Sequence, residues 1–233
     1  MRAVDSLESG LRSGAAALQL RLSDAQVSQL LTYLALLQKW NKVYNLSAVR
    51  QPQEMLSQHL LDSLAAVPPL QRHLDAAELA SPRLLDVGSG GGLPGVVFAI
   101  CCPGLAVDCV DAVGKKAAFI QQAAAQLQLP RLRGIHNRVE AVAGPYDVVS
   151  CRAFASLPDF VRWSQHALAE GGVWLAMKGK HPEAELAEVA AEAEVFHVEQ
   201  LSVPGLDADR CIVWMRPRAA RAESATGVAN PKR

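Results

Sequence analysis

The feature that most constrains the fold of this chain is a glycine-rich segment that directly follows a short apolar stretch. Residues Arg83–Val87 (RLLDV) predict a buried β-strand, and residues 86–95 read DVGSGGGLPG. Glycines in this position let the backbone approach a ligand at the carboxyl end of a parallel sheet. The segment therefore predicts an α/β fold that binds a nucleotide or a nucleoside.

Downstream of this segment, predicted strands alternate with predicted helices, which is typical of a mostly parallel, doubly wound, Rossmann-like α/β sheet. The last two strands are joined by a short link (PGLDAD) and predict an antiparallel hairpin at the sheet edge. The predicted strands cover residues 83–87, 105–111, 132–136, 147–151, 173–177, 198–203 and 211–215. The predicted helices cover residues 97–100, 115–127, 183–194 and a segment from Pro158 that Gly171-Gly172 ends.

The residues before this sheet predict helices and loops only. Ser23 or Asp24 suits the start of an amphipathic helix that runs to about Trp40, with Asn41 and Asn45 marking a break. Pro52 suits the start of a second helix, which the prolines at 68 and 69 end. We predict three regions: a helical N-terminal extension (1–80), an α/β domain (81–217) and a tail (218–233). The tail has few large apolar residues and is predicted to be disordered.

Composition argues against several classes of protein. Lys and Arg total 23, as do Asp and Glu, which argues against a strongly basic nucleic-acid coat protein or a polybasic membrane binder. No apolar run approaches the roughly 20 residues that cross a bilayer, and the N-terminus lacks a signal-peptide pattern, so we expect a cytoplasmic protein without a membrane partner. The five cysteines show no metal-ligand spacing, which predicts reduced, mostly buried thiols and no metal site.

Two ligand classes compete for the glycine segment. Gly90, Gly92 and Gly95 fit G-x-G-x-x-G, the pattern of dinucleotide-binding oxidoreductases, but a single such match is weak. Counted from Gly88, the first glycine after the strand, the third position is Leu93. The D-x-G-x-G-x-G pattern is typical of methyltransferases that use S-adenosylmethionine, whose α-amino group an acid can hold. The pattern favours the methyltransferase, and an NAD-dependent oxidoreductase is the alternative.

Two later turns supply further candidates for the cofactor site. Asp111 ends the second strand, where a carboxylate can accept hydrogen bonds from both ribose hydroxyls or cap the next helix. Val139 and Glu140 follow the third strand, where the adenine edge is expected. Glu140 is equally well explained as a solvated acid in a loop.

These segments together resemble the bacterial RsmG (GidB) family of ribosomal small-subunit RNA guanine-N7 methyltransferases, over residues 30–215. The glycine segment alone indicates only a methyltransferase, whereas the combination is more specific. The segments that carry the resemblance are WNKVYNLSAVR (40–50), HLLDSLA (59–65), LLDVGSGGGLPG (84–95), VDAVGKK (110–116), NRVE (137–140), CRAFASL (151–157) and MKGK (177–180).

The resemblance implies a class I S-adenosylmethionine-dependent methyltransferase fold and a guanine of 16S ribosomal RNA as the substrate. It also implies a set of residues that line or support the cofactor site. Cys151 departs from the family pattern, which has Ser before Arg-Ala-Phe; because a small residue is kept, we expect no consequence. The implied cofactor residues are Gly88, Leu93, Val139, Glu140 and Arg152, with Asp86, Gly90 and Asp111 beside them.

The chemistry of guanine N7 requires little from side chains. N7 is a lone-pair acceptor, so no base has to remove a proton before it attacks the methyl carbon. We therefore assign no catalytic residue, with Arg152 as the one candidate, and expect catalysis by in-line positioning. Cytosine-C5 methyltransferases use a cysteine thiolate instead, but Cys151 lacks their Pro-Cys context and is better explained by packing.

Several residues are candidates for RNA contact, although each lysine is no better explained that way than as a solvated side chain. They are Arg50, Lys115, Lys116, Phe154, Lys178 and Lys180. The expected partner is 16S rRNA, either naked or within a partly assembled small subunit. His59 and Asp62, three residues apart on one helix face, predict a hydrogen-bonded pair that ties the extension to the catalytic domain.

Overall fold

The computed structural model describes residues 2–218, so almost all of the tail that was predicted to be disordered lies outside the described residues. The last helix of the N-terminal extension ends at Ala76, and the first strand begins at Arg83. The expected boundary near residue 80 lies between them. No helix in the described part of the chain is both long enough and apolar enough to cross a membrane. The helices are α1 (Arg2–Ala17), α2 (Asp24–Tyr44), α3 (Pro52–Met55), α4 (Asp62–Leu64), α5 (Val67–Ala76), α6 (Gly95–Cys101), α7 (Gly114–Gln126), α8 (Leu157–Ser164) and α9 (Glu183–Val189).

Helix α2 begins where the sequence predicts but extends beyond Asn41. Ser23 caps it: the Ser23 hydroxyl accepts a hydrogen bond from the Gln26 backbone N–H, and the Gln26 side chain accepts one from the Ser23 N–H. Asn41 does not break the helix, because its side chain binds the following loop at the Ser47 N–H and the Val49 carbonyl. The helix ends at Tyr44, and its C-cap is the other predicted break residue, Asn45, which adopts the left-handed conformation (φ 49°).

The next helical region starts at Pro52, as predicted, and contains an irregularity that the sequence did not reveal. Between α3 and α4, residues Leu56–Leu61 form a π-helical turn, a form that is frequent at functional sites. The prolines at 68 and 69 do not end this region; they lie in the first turn of α5. Their missing N–H groups cost nothing there, because the first turn of a helix has no intrahelical acceptors for them.

The strands form one seven-stranded sheet of order β3-β2-β1-β4-β5-β7-β6. β1 to β5 are parallel, whereas β7 runs antiparallel to both β5 and β6. This confirms the predicted doubly wound sheet with an antiparallel terminal hairpin. The strands are β1 (Arg83–Val87), β2 (Ala106–Asp111), β3 (Leu132–His136), β4 (Tyr146–Arg152), β5 (Leu168–Lys178), β6 (Ala193–Leu201) and β7 (Arg210–Pro217).

Two boundaries in the second half of the sheet differ from the prediction. Gly171-Gly172 do not end α8; they lie inside β5, where Gly171 (φ 76°) accompanies a register shift against β4. The predicted helix at 183–194 stops at Val189, because Ala193–Leu201 pair with β7 along the whole hairpin. Pairing with a distant strand outweighed the local helical composition in this segment.

A hydrophobic core covers each face of the sheet, because alternate residues of a strand point to opposite sides. Leu84 and Leu175 contribute to one core and Leu85 and Trp174 to the other. The N-terminal extension shares the first core with α6 and α7, through Leu11, Leu30, Tyr33, Leu37, Leu60, Phe98, Phe119 and Ile120. The extension is therefore built onto the sheet and packs beside the glycine segment.

Candidate active site

Two adjoining cavities, of about 450 and 410 Å³, lie at the carboxyl ends of the parallel strands. Gly88 and Ala153 line both, so the cavities meet at the ends of β1 and β4. The larger cavity also includes Leu37, Leu46, Ser47, Gln58, His59, Asp62, Ser89, Gly90, Gly91, Leu93, Arg152, Met177, Lys178, Gly179 and Arg210. The smaller cavity also includes Val87, Val110, Asp111, Ala112, Lys116, Asn137, Arg138, Val139, Glu140, Phe154 and Trp163.

The glycine segment lies where the two cavities meet. Gly88 has a left-handed φ of 63°, and a Cβ added there would lie 2.1 Å from Cδ2 of Phe154. A side chain at Gly88 is thus excluded by the Phe154 ring. Gly90 (φ 58°) has open space where its Cβ would be, with only the Gly88 carbonyl within 4 Å. The absent side chain of Gly90 therefore leaves room for a ligand.

Asp86 lies behind the glycine segment and does not line either cavity. Its carboxylate is fully buried and accepts hydrogen bonds from the Gly95 N–H and the Ser150 hydroxyl, both at 3.0 Å. Burial raises the pKa of Asp86 to about 7, and the two hydrogen bonds oppose that rise. The expectation that Asp86 supports the cofactor site stays a prediction, and in this structure its carboxylate is enclosed by protein. Asp86 instead fastens the start of α6 to β1 and β4.

Asp111 lines the smaller cavity and holds the glycine segment at the same time. One carboxylate oxygen accepts hydrogen bonds from the Gly90 N–H (3.1 Å) and the Lys116 ammonium (3.2 Å). The other accepts from the Val113 N–H at 2.9 Å, just before α7. Asp111 is therefore not the N-cap of α7, whose N-cap is Val113, and its ribose-binding role stays a prediction.

Val139 and Glu140 lie on the opposite side of the smaller cavity, in a short 3₁₀ turn after β3. Val139 is buried and supplies an apolar surface, whereas Glu140 is exposed at the cavity edge. Phe154 and Trp163, whose rings are 5.9 Å apart, complete the apolar lining. This combination of apolar walls and peripheral carboxylates suits a flat heterocycle attached to a sugar.

The larger cavity contains a buried ionic cluster that joins the extension to the sheet. Asp62 of α4 is 3% exposed, and its two oxygens accept hydrogen bonds from Arg152 Nη1 and Arg210 Nε, each at 2.7 Å. Arg152 also donates to the Gln58 carbonyl at 3.1 Å, in the π-helical turn. Arg152 thus lines the larger cavity and is held in place by the extension.

His59 does not pair with Asp62, contrary to the prediction. The π-helical turn rotates the two residues away from regular helical spacing, and His59 Nε2 is 2.7 Å from the Ser47 hydroxyl instead. Burial and the nearby Arg152 lower the pKa of His59, so its neutral form is favoured. The expected tie between extension and catalytic domain exists, but Asp62 makes it with arginines of β4 and β7.

Arg210 is a cavity residue that no sequence motif indicated. It starts β7, whose Cys211 pairs with Lys178 at the end of β5. The antiparallel hairpin therefore returns the chain to the carboxyl edge of the parallel strands, where ligands bind. Arg210 is a charged residue directly before the last predicted strand, and this position is the sequence signal that could have identified it.

The predicted RNA-contact residues are distributed around both cavities. Lys178 lines the larger cavity and binds Glu185 (2.8 Å) and the Ala155 carbonyl (3.0 Å). Lys116 pairs with Asp111 at 3.2 Å, and Phe154 packs on Trp163 over Gly88. The remaining three are exposed, namely Arg50, Lys115 and Lys180.

The five cysteines are buried free thiols, as predicted. Cys151 faces the core beneath α8, and burial raises its pKa far above the ordinary value. A thiolate nucleophile needs a lowered pKa, so this geometry supports the packing interpretation. Within residues 2–218 no group of three or more His, Cys, Asp or Glu side chains is placed to hold a metal ion.

Comparison with known proteins identifies the family. The sequence model of GidB, rRNA small subunit methyltransferase G, matches residues 26–213. The chain is 68% identical to the ribosomal RNA small subunit methyltransferase G of Paracidovorax citrulli (strain AAC00-1), over 98% of both chains. It is 69% identical to the protein of that name from Acidovorax sp. (strain JS42), over 92% of this chain and 97% of that one.

Solved structures resemble the chain in fold alone. The Burkholderia thailandensis 1,6-didemethyltoxoflavin-N1-methyltransferase has a TM-score of 0.55 at 17% identity, covering 81% of this chain and 90% of that one. A SAM-dependent methyltransferase from Aquifex aeolicus has a TM-score of 0.52 at 13% identity, covering 71% and 98%. The family match excludes the oxidoreductase alternative. The chain therefore belongs to the GidB family, rRNA small subunit methyltransferase G.

Proposed function

We propose that this chain transfers a methyl group from S-adenosylmethionine to N7 of a guanine in 16S ribosomal RNA. The observation that carries the proposal is the convergence of the predicted cofactor residues on two joined cavities. Gly88, Gly90, Leu93 and Arg152 line the larger cavity, and Asp111, Val139 and Glu140 line the smaller one. Both cavities fall within the range of about 300–1,000 Å³ that is usual for small-molecule sites.

The smaller cavity fits the adenosine part of the cofactor. Asp111 would accept hydrogen bonds from the ribose hydroxyls, and the buried Val139 would pack against adenine, with Glu140 at its polar edge. The space left open by Gly90 would admit the amino-acid part into the larger cavity. Because Asp86 is fully enclosed, the amino group has to be held by other groups of the larger cavity.

The chemistry of the larger cavity suits N7 methylation. When bound, S-adenosylmethionine supplies a methyl group already activated as a sulfonium. Asp62 is the acid that lines this cavity among the described residues, and its oxygens are engaged by Arg152 and Arg210, so no free carboxylate is available as a base. Guanine N7 needs none. The role left to the protein is positioning, which fits a cavity lined by fixed donors.

The donors of the larger cavity also suit the substrate. Arg152, Arg210 and Lys178 present N–H groups, which complement the O6 acceptor of guanine and backbone phosphates. The target base has to leave its stack to enter the cavity. We further propose that the reaction takes place in the cytoplasm on a partly assembled small subunit. The balance of 23 basic and 23 acidic residues leaves little general affinity for naked RNA.

The first test separates the two cofactor classes. Titration calorimetry of the full-length protein should show saturable binding of S-adenosylhomocysteine and none of NAD or NADP.

The second test uses small subunits and naked 16S rRNA from a strain that lacks this gene. Incubation with S-adenosylmethionine should create one new site of chemical cleavage at 7-methylguanosine, more efficiently on subunits. Methylation of another atom, or of no RNA, would contradict the proposal.

A further inference from the structure

We propose that the exposed surface formed by Val43, Tyr44, Val113 and Lys115, here named the Tyr44 surface, binds a single-stranded RNA nucleotide next to the target guanine. The base of that nucleotide stacks on the Tyr44 ring, and the surrounding lysines bind phosphates. This inference rests on the proposed function and extends it. It assigns an RNA contact to a surface outside the two cavities.

The Tyr44 surface is an unusual concentration of exposed apolar side chains. The exposed large hydrophobic residues of the described chain are Val43 (70%), Tyr44 (37%), Val113 (39%) and Phe196 (41%). We group the first three as one surface on two grounds: the Lys115 ammonium lies over the Tyr44 ring, 6.0 Å from its centre, and Val113 is two residues from Lys115 in the sequence. Clustered apolar exposure of this kind marks binding sites.

The Tyr44 ring packs on a second aromatic ring that is anchored in the core. It packs on Trp40 with the ring centres 5.1 Å apart, and Trp40 in turn packs edge-on against the buried Phe119 of α7 at 5.4 Å. Trp40 thus ties Tyr44, the last residue of α2, to the core. An aromatic side chain held in this way loses little conformational entropy when a base stacks on it.

Lysines dominate the charge around this surface, although the chain as a whole is neutral and the Asp111 carboxylate accepts a hydrogen bond from the Val113 N–H at 2.9 Å. Residues 25–53 and 112–139 contain no Asp or Glu, and they supply the lysines of this region. Lys116 pairs with Asp111 at 3.2 Å, whereas Lys39, Lys42 and Lys115 form no salt bridge with any described residue. These ammonium groups are available to phosphates.

The location of the surface fits a nucleotide that flanks the target. Tyr44 is two residues before Leu46, which lines the larger cavity, and Lys115 is adjacent to Lys116, which lines the smaller one. The Tyr44 surface is thus within two residues along the chain of a residue that lines each cavity. A strand whose guanine enters the larger cavity can place its neighbour there.

Single-stranded RNA is the occupant that the chemistry favours. Proteins that bind single strands combine aromatic side chains, on which bases stack, with basic groups that follow the backbone. A membrane surface would require a larger apolar area, and the lysines without a salt bridge to any described residue favour a polyanion over a neutral protein surface. A ribosomal protein as the partner is an outcome that the experiment distinguishes.

The test compares Tyr44→Ala with Tyr44→Phe in the full-length protein, and Phe196→Ala is the control because Phe196 is an exposed aromatic residue on the edge strand β6. We expect Tyr44→Ala to weaken binding of 16S rRNA, measured with S-adenosylhomocysteine present, by about 5- to 100-fold. Tyr44→Phe and Phe196→Ala should stay within about twofold. Lys115→Gln should weaken binding and reduce the slope of log affinity against log salt by about 1.

Further measurements separate the possible failures. S-adenosylhomocysteine affinity and the melting temperature should be unchanged in Tyr44→Ala; a matching loss in either would make the role structural and overturn the inference. Unchanged RNA affinity in Tyr44→Ala would also overturn it while leaving the proposed function intact. A loss seen only with assembled subunits and not with naked RNA would assign the surface to a ribosomal protein. An enzyme that methylates no RNA would contradict the proposed function, whereas the binding measurement would still decide the stacking role.

Discussion

Asp62 binds two arginines that come from different strands. One carboxylate therefore fixes the positions of two side chains that line the larger cavity. Its side chain is 4% exposed, against 19% for Arg152 and 25% for Arg210. In such surroundings an ion pair is weakly screened, and losing one partner leaves buried charge without compensation. We therefore regard Asp62 as a positioning residue that acts through both guanidinium groups.

Replacing Asp62 by Asn tests this role, because the amide keeps the size of the side chain and removes its charge. We expect kcat/KM for RNA methylation to fall by about 10- to 100-fold, since small displacements of positioning groups have effects of this order. Asp159→Asn is the matched control, because Asp159 also pairs with an arginine (Arg162, 3.0 Å) but on the surface. Assays below the melting temperature of each variant separate function from folding. Wild-type kcat/KM in a folded Asp62→Asn protein would disprove the role.

At the scale of elements, α2 supports the glycine segment directly. The Tyr33 hydroxyl donates a hydrogen bond to the Gly91 carbonyl at 2.5 Å, and a Cβ added at Gly91 would lie 2.8 Å from Leu37 Cδ1. Helix α2 therefore packs closely against the backbone of the glycine segment, because Gly91 has no side chain to keep the helix away. This contact explains physically why the extension shares a core with the catalytic sheet.

We predict that Tyr33→Phe destabilises the protein by about 1–3 kcal/mol, because a buried carbonyl loses its donor. It should also weaken S-adenosylhomocysteine binding several-fold, because the glycine segment loses a support. Tyr146→Phe is the control: its hydroxyl donates to Asp108 at 2.8 Å in the buried sheet, away from both cavities. Denaturant titration and calorimetry should show a stability loss in both variants but an affinity loss only in Tyr33→Phe. Equal affinity in the two would contradict the role of α2.

At the scale of the whole molecule, the buried carboxyl group of Asp86 makes stability depend on pH. Burial raises its pKa from 3.8 to about 7, so the folded state binds this proton more tightly than the unfolded state. The resulting stabilisation is fully present below the ordinary pKa and is lost as pH rises through about 7. Asp86→Asn removes the titration and keeps an oxygen for the Gly95 N–H.

We predict that the free energy of unfolding of the wild type decreases relative to Asp86→Asn between pH 5 and pH 7, by at most about 1.4 kcal/mol per pH unit. Denaturant titrations of both proteins across this range measure the difference, which cancels the contribution of other titrating groups. A constant difference from pH 5 to pH 8 would show that the pKa of Asp86 is not raised.

Local sequence patterns predicted much of this protein's structure. The strand before the glycine segment and the third strand have the predicted bounds, and Ser23 and Pro52 start helices as predicted. The topology followed from these elements, because parallel strands joined by helices have few ways to pack. The predicted residues Gly88, Leu93 and Arg152 then line one cavity, since the strand ends share one edge of the sheet.

By itself, the sequence determined the order of the elements, the class of ligand and most of the residues at the sheet edge, because these depend on short-range periodicity and on glycine placement. Only the tertiary structure decided what the polar groups bind. Asp62 meets Arg152 and Arg210 across 90 and 148 residues of chain, Asp86 turns away from the ligand space, and a π-helical turn separates His59 from Asp62. Such contacts depend on packing between distant segments, and no local pattern encodes them.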